Sequence, residues 1–453
     1  MENPFWNDVQ ASLSLEESQT GVINCNGALP SYFDVSGLAS ASVLAVGQAL
    51  ASLLECHGFP TPKEVVVDQR LTSHWFASSL ALTQTTPPPI WDNVAGDYQT
   101  SDGWVRLHTN APHHKKAALS VLGVEADKAK VAHAVSKISG SELETKIVAA
   151  NGCAAAMRTI EEWAIHPQGK SVASEPLIAW QKNAQENGAS FVVRTASRPL
   201  EGLKVLDLTR VIAGPVATRT LASMGANVLR IDPEYWDEPG LYEDLTIGKR
   251  CAHLDLKSAS GKEKFLQLVI DADVIVHGLR KDALDKLGLD QSALESLNPN
   301  LIDVALNAYG WTGPWAARRG FDSLVQMSSG IADYGMKRSG NQRPTPLPVQ
   351  ALDHATGFLL AATVLSALRQ AKTSGHAFAA KLSLARVAHL LTSSAQHALQ
   401  GDIEEVRDED YSDVKEETHL GAAKRLKQPL HVSGVNLTWT GSAPALRSSN
   451  ADW

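Results

Sequence analysis

The sequence predicts an α/β protein with a doubly wound parallel sheet, joined to a smaller α+β domain. Three observations predict it. After Arg198, short β-type runs alternate with helical stretches of about 10 to 15 residues, the mark of βαβ units. Before that point the pattern is turn-rich, with short β runs followed by helical segments. Between the N-terminal segment and this region lies the stiff Pro87-Pro88-Pro89 run.

Lys204 to Leu208 reads as the first strand, Ala213 to Met224 as a helix, and Asn227 to Asp232 as a second strand. Cys251 to Leu256 is a further strand, and Ser260 to Asp271 a helix with Phe265, Leu266, Leu268 and Val269 on one side. Val274 to Val276 and Leu301 to Leu306 add two more strands, giving a Rossmann-like sheet. In the smaller domain, β runs are expected at Val94 to Tyr98 and Gly103 to Leu107, with helices at Lys115 to Leu122 and Ala126 to Ile138. The expected organisation is a helical N-terminal segment over 1–86, a small α+β domain over 87–170, a linker over 171–197, a large Rossmann-like domain over 198–395, and an acidic insert with a C-terminal tail over 396–453.

One unit is repeated. Leu29-Pro-Ser-Tyr-Phe-Asp34 opens an alanine-rich helix, Leu38 to Glu55, followed by the strand-like Glu64 to Asp68. Leu347-Pro-Val-Gln-Ala-Leu-Asp353 opens a helix, Gly357 to Gln370, followed by the strand-like Ala379 to Ser383.

Composition narrows the function. With 453 residues, 44% hydrophobic and 20% charged, the chain has material for a large core. The net charge is -8, and nine acidic against two basic residues between Asp402 and Glu417 account for most of it. No basic excess remains to neutralise phosphates, so nucleic acid is not an expected partner. The acidic stretch is expected to be a solvated or disordered insert. Four cysteines without CxxC spacing suggest reduced thiols, and Met1-Glu2-Asn3-Pro4 is not a leader, so a soluble, cytoplasmic protein without a membrane span is expected. His113-His114, beside Lys115-Lys116, reads as a solvated basic turn rather than a metal-ligand pair.

Chemistry is expected beyond the carboxyl ends of the strands. Asp207-Leu-Thr-Arg-Val-Ile-Ala-Gly-Pro215 joins the first strand to its helix without the GxGxxG fingerprint, so a crevice is implied but not NAD. Arg210, Lys249-Arg250, Arg280 and Arg318-Arg319 follow successive strands and together suit a polyanionic ligand. Asp353 opens a helix, where aspartate serves as an N-cap and where a carboxylate can also act as an acyl nucleophile. GxSxG and GxxxxGK[ST] are absent from the sequence.

Several of these segments are familiar together. Arg198 to Pro215, Gly248-Lys-Arg-Cys-Ala-His-Leu-Asp-Leu-Lys257, Leu297-Asn-Pro-Asn300, Tyr309-Gly-Trp-Thr-Gly-Pro314 and Gly320-Phe-Asp-Ser-Leu-Val-Gln326 resemble the family III CoA-transferases, the CaiB/BaiF family. The resemblance runs from about 198 to 392, and residues 29–190 resemble the family's second half, so the order is permuted. It implies a CoA-transferase moving CoA from an acyl-CoA to a carboxylic acid, with Asp353 as nucleophile and CoA as substrate rather than resident cofactor. It further implies CoA contacts at Arg210, Val211, Ile212, Ala213, Lys249, Arg250, Leu279, Arg280, Arg319 and Asp322, no metal, and a homodimer whose chains may interlock in the family manner. Asp34 holds the equivalent place in the partial repeat and ranks below Asp353. A racemase or dehydratase on the same scaffold, or a silent CoA-binding paralogue, are the alternatives. The racemase branch has a histidine where Phe321 stands here, and His354 beside Asp353 reads as an exposed first-turn residue.

Overall fold

The computed structural model describes residues 3–16, 21–186, 191–279, 288–394, 399 and 401–453. A seven-stranded sheet is formed by β1 (Ala179–Glu186), β2 (Lys204–Leu208), β3 (Asn227–Asp232), β4 (Lys249–His253), β5 (Val274–His277), β6 (Ile302–Asn307) and β7 (His376–Ser383). β2, β3, β5 and β6 are rich in valine, leucine and isoleucine and buried on both faces, whereas β1 is polar and mostly exposed. Their spatial order is β4-β3-β2-β5-β6-β7-β1, with β2 to β7 all parallel and β1 antiparallel on the edge beside β7. The chain steps outward from β2 to β4, then returns to lay β5 on the other side of β2. Loops leaving β2 and β5 therefore diverge, and a crevice opens between them at the carboxyl ends of the strands.

Four helices position that crevice: α1 (Val35–Cys56), α2 (Ala213–Ser223), α3 (Asp322–Ser328) and α4 (Ala351–Ser374). α1 and α4 are long and apolar enough to cross a bilayer, yet their apolar windows are wholly buried inside the protein. They pack on each other, and α4 also packs on α2. A Cβ on Gly357 would lie 2.5 Å from the Ala213 carbonyl oxygen and 2.7 Å from the Val216 Cβ. This approach of α4 to α2 is closer than any side chain permits, and it sets the position of the helix one turn from Asp353.

Residues 96–156 carry an antiparallel sheet of Gly96–Gln99, Trp104–Leu107 and Ala154–Ala156, with helices Pro112–Leu122, Lys128–Val135 and Gly140–Ala149. These elements enclose a separate core that includes Val105, Leu107, Val131, Leu143 and Ile147. The acidic insert is solvated, as expected, with most of its carboxylates exposed, but it is folded and not disordered. Tyr411–Thr418 pairs with Gly421–Leu426, which in turn pairs with Leu80–Leu82. Buried arginines explain the order: Asp410 pairs with Arg70, and Glu416 lies 2.6 Å from Arg425. Arg425 and Arg219 share the carboxylate of Asp244. Burial pushes the Asp244 carboxyl up, but the two guanidiniums outweigh it and hold it far below the usual range. The last residues run beside the open edge of β4, where the Ser449 N–H donates to the Cys251 carbonyl at 2.8 Å.

Two outcomes are expected. Gly357→Ala lowers stability by about 1–3 kcal/mol in denaturant titration, the range for overpacking. Asp244→Asn costs about 3–5 kcal/mol near neutral pH, because buried Arg219 loses its carboxylate partner and Arg425 keeps only Glu416. The Asp244 contribution exists above the ordinary carboxylate range and is lost as pH falls through the depressed folded value, so the two proteins converge in stability toward strong acid.

Candidate active site

A cavity of about 600 Å³ occupies the crevice. The loop after β2 supplies Thr209, Arg210 and Val211, the end of β3 supplies Asp232, and the loop after β5 supplies Gly278 and Leu279. Asp353, Arg319, Phe321, His113 and His114 close it from the other elements.

The loop after β2 is held by its own aspartate. Asp207 is buried and accepts the Thr209 N–H at 2.8 Å, the Thr218 hydroxyl at 2.5 Å and the Lys249 ammonium at 3.1 Å. Burial pushes its carboxyl up, yet Lys249, Arg230 and the hydroxyl donors prevail and hold it below the usual range. Val211 adopts φ 66°, a left-handed conformation that a β-branched residue enters at a cost of about 1–3 kcal/mol. Its N–H donates to Glu238 at 2.7 Å, and Glu238 also accepts from the Trp236 indole and from Arg230. The strained loop is thereby pinned against the opposite lip of the cavity.

Asp353 is the third residue of α4, not its N-cap as the sequence reading had it. Gln350 holds the cap position without a side-chain bond. The cap comes instead from α3: the Asp353 N–H donates to the carboxylate of Asp322 at 2.9 Å, and the Leu352 N–H also bonds that carboxylate. Gln326, one turn along α3, donates to the other Asp322 oxygen and accepts the Leu347 N–H at 2.8 Å. The Leu-Pro segment leading to Asp353 is thus tied to the α3 helix at both ends.

This placement sets the charge. Burial raises Asp322 to about 6, against the pull of its N–H and amide donors. Asp353 is 7% exposed, and its carboxylate accepts no hydrogen bond among the described residues. Burial first, and the neighbouring Asp322 second, raise its carboxyl well above the usual range. Of two close carboxyls, the one with donors takes the negative charge first.

The positions drawn from the resemblance divide. Asp353, Arg210, Val211, Ala213, Leu279 and Arg319 line the one cavity. Ile212 turns into the core beneath α2, and Asp322 lies behind Asp353 rather than on the cavity wall. Lys249 and Arg250 are strand neighbours and so face opposite ways. Lys249 is consumed by Asp207 and the Pro215 carbonyl, while Arg250 reaches Asp452 at 3.1 Å. Arg280 lies outside the described residues. Asp34 N-caps α1 by accepting the Gly37 N–H at 2.7 Å and does not line the cavity. His354 is not exposed: it is buried, with its ring stacked on Phe76 at 5.1 Å.

His114 departs from its sequence reading as well. It is buried and lines the cavity, with its neighbour His113 at the exposed rim. The signal was available in the helical period: one turn back from the buried Ala118 falls His114. Trp236 and Tyr235 carried no signal, since they lie in an irregular loop.

Residues 200–420 match the family model described as CoA-transferase family III. An acyl-CoA transferase of Gibberella moniliformis is 29% identical over 321 residues, covering 65% of this chain and 56% of that protein. A succinate–glutarate CoA-transferase of Agrobacterium fabrum is 34% identical over 196 residues, covering 39% of this chain and 48% of that protein. The solved structure of a CaiB/BaiF family protein from Brucella suis is 26% identical, with a TM-score of 0.40, and covers 50% of this chain and 65% of that one. The chain spans about half the length of these two curated relatives.

Removing the ionisable group at Asp353 removes the cost of keeping a buried carboxyl protonated near neutral pH. The raised carboxyl keeps its proton in the folded state while the unfolded chain gives it up, so stability falls as pH rises from the ordinary carboxylate range toward the folded value. Asp353→Asn is therefore expected to melt higher than the parent near neutral pH, with the gap closing below about pH 4, where both states are protonated.

Proposed function

We propose, from the match of residues 200–420 to the model of CoA-transferase family III, that this protein transfers CoA between an acyl-CoA and a carboxylic acid through Asp353. One observation carries the reading. A buried carboxylate that accepts no hydrogen bond among the described residues stands on the wall of a cavity that opens at the carboxyl ends of a parallel sheet.

Ionised in that position, Asp353 is poorly solvated and therefore strongly nucleophilic. It attacks the thioester carbonyl, the C–S bond breaks, and a mixed anhydride and CoA thiolate form. The thiolate attacks the aspartyl carbonyl of the anhydride, which releases the donor acid and leaves an aspartyl-CoA thioester. The acceptor carboxylate attacks that thioester, and the freed thiolate then takes the acceptor acyl group, which restores Asp353. Arg210 and Arg319 on the same cavity suit the anionic groups of CoA. In this reading the parallel-sheet region is a Rossmann-like large domain, residues 87–170 form the small domain, and the enzyme acts as a cytoplasmic homodimer.

A racemase would need a base on each side of the α-carbon. Phe321 occupies the place of one, and burial pushes the nearby His108 and His114 down to about 3, which leaves them neutral and weakly basic. Transfer is the better reading.

The test is CoA exchange between labelled acyl-CoAs and candidate acids, with hydroxylamine trapping of the protein adduct. Asp353→Ala is expected to abolish both. The rate is expected to rise with pH from the acidic side, since the raised carboxyl must first lose its proton. Exchange that persists in Asp353→Ala, or deuterium wash-in at the α-carbon without exchange, overturns the proposal.

A further inference from the structure

Between β6 and α3 the chain runs from Ala308 to Phe321 without strand or helix, yet its last residues, Arg318 to Phe321, form one wall of the cavity. A loop of that length has many shapes open to it, so one of them prevails only where outside contacts select it.

The selecting groups come from the smaller antiparallel domain. Glu144, on its helix Gly140–Ala149, is 4% exposed. Its carboxylate accepts the Arg318 guanidinium at 2.8 Å, the Ala156 N–H at 3.2 Å and the guanidinium of Arg158. Burial pushes this carboxyl up, but Arg158 and Arg318 prevail and hold it below the usual range, so it is charged at neutral pH. Arg318 also donates to the Ala154 carbonyl at 2.7 Å, and its guanidinium lies 3.8 Å from the centroid of the Trp315 ring. The next residues are gripped from the same side. Arg319 donates to Asn151 at 3.1 Å, and Phe321 stacks on His108 with ring centroids 3.7 Å apart.

Asp322 follows, and its carboxylate accepts the Asp353 N–H at 2.9 Å. α3 itself rests on the smaller domain: the Arg158 N–H donates to the Met327 carbonyl at 3.0 Å, and Leu324 and Met327 pack with Cys153 and Ala155. An unbroken series of contacts thus runs from Glu144 through Arg318 and Asp322 to Asp353. Glu144 does not line the cavity, so its effect on the chemistry is carried by geometry. Its charge is needed for that effect. Arg158 and Arg318 both lie over Trp315, and without the carboxylate between them two buried like charges move apart.

We infer that Glu144 is a positioning residue for the transfer: by holding Arg318 it fixes the turn from Arg319 to Asp322, and through Asp322 the place of Asp353. This role rests on the transfer reading of the cavity and assigns part of it to a residue that touches no substrate.

The test uses the full chain and its Glu144→Gln and Glu144→Asp variants. In Glu144→Gln, kcat for CoA exchange is expected to fall by about 10- to 100-fold, the range for a displaced reacting group, with KM for the acyl-CoA and Kd for free CoA changed less than about threefold. The charge that acts on Asp353 is that of Asp322, and Arg106 of the smaller domain acts on Asp322 in turn. The acid limb of the rate profile is therefore expected to move to lower pH, as Asp353 parts from a like charge. A fold defect alone lowers the amount of active protein and leaves that limb in place. Glu144→Asp, which keeps the charge, is expected to recover part of kcat and to return the limb toward the parent's. If Glu144→Gln does not fold, Arg318→Lys, which gives up the second donor to Ala154, is expected to show a smaller change of the same kind.

A melting comparison needs no transfer. The gap between Asp353→Asn and the parent near neutral pH is expected to narrow when both carry Glu144→Gln, whereas uncoupled sites add and leave it unchanged. An unchanged gap, an unmoved acid limb, or a loss that lies in the affinity for free CoA overturns the inference. If no acid accepts CoA but the gap narrows, the transfer reading falls and the tie between Glu144 and Asp353 stands.

Discussion

The carboxylate of Asp322 accepts the Asp353 N–H and so fixes the place of the proposed nucleophile, while its charge adds to burial in raising the Asp353 carboxyl. The first N–H groups of a helix lack partners inside it, so α4 requires an external acceptor. A serine or asparagine at Gln350 would have served the helix equally well. A carboxylate from α3 does something more, because it brings a like charge beside Asp353 and raises that carboxyl further. Gln326 completes the arrangement by holding both Asp322 and the backbone of Leu347.

Around this centre, buried ion pairs fix the cavity walls. Lys249 with Asp207 joins β4 to the end of β2, and Arg230 with Asp232 and Glu238 joins β3 to the loop that follows it. Such pairs add little net stability but are costly to break, so their effect is to make one loop arrangement far better than its neighbours. The strained Val211 is consistent with that view: its left-handed backbone persists because Glu238 and the surrounding pairs over-determine it.

The repeated Leu-Pro…Asp opening shows how context separates equal sequences. Both openings begin long, buried, alanine-rich helices that pack on each other. Asp34 sits before its helix and caps it with its own side chain. Asp353 sits one turn inside, relieved of capping by Asp322, and its side chain is left for the cavity. A three-residue offset from the cap position distinguishes the carboxylate that caps its own helix from the one left free to face the cavity.

By itself the sequence determined the parallel sheet, because strand and helix periods are local: Lys204–Leu208 and Asn227–Asp232 form the strands that their β-type runs predict. It also pointed to Asp353 and to Arg210, Val211, Ala213, Leu279 and Arg319, which the cavity brings together. Only the tertiary structure decided the rest. Which of two adjacent strand residues faces a crevice, as with Lys249 and Arg250, depends on the pleat against neighbouring strands. Whether the acidic run near 410 is ordered depends on Arg70 and Arg425, far away in sequence or across a hairpin. The burial of His114 arises from packing against Phe321, about 200 residues away in the chain, and no local pattern encodes a contact of that kind.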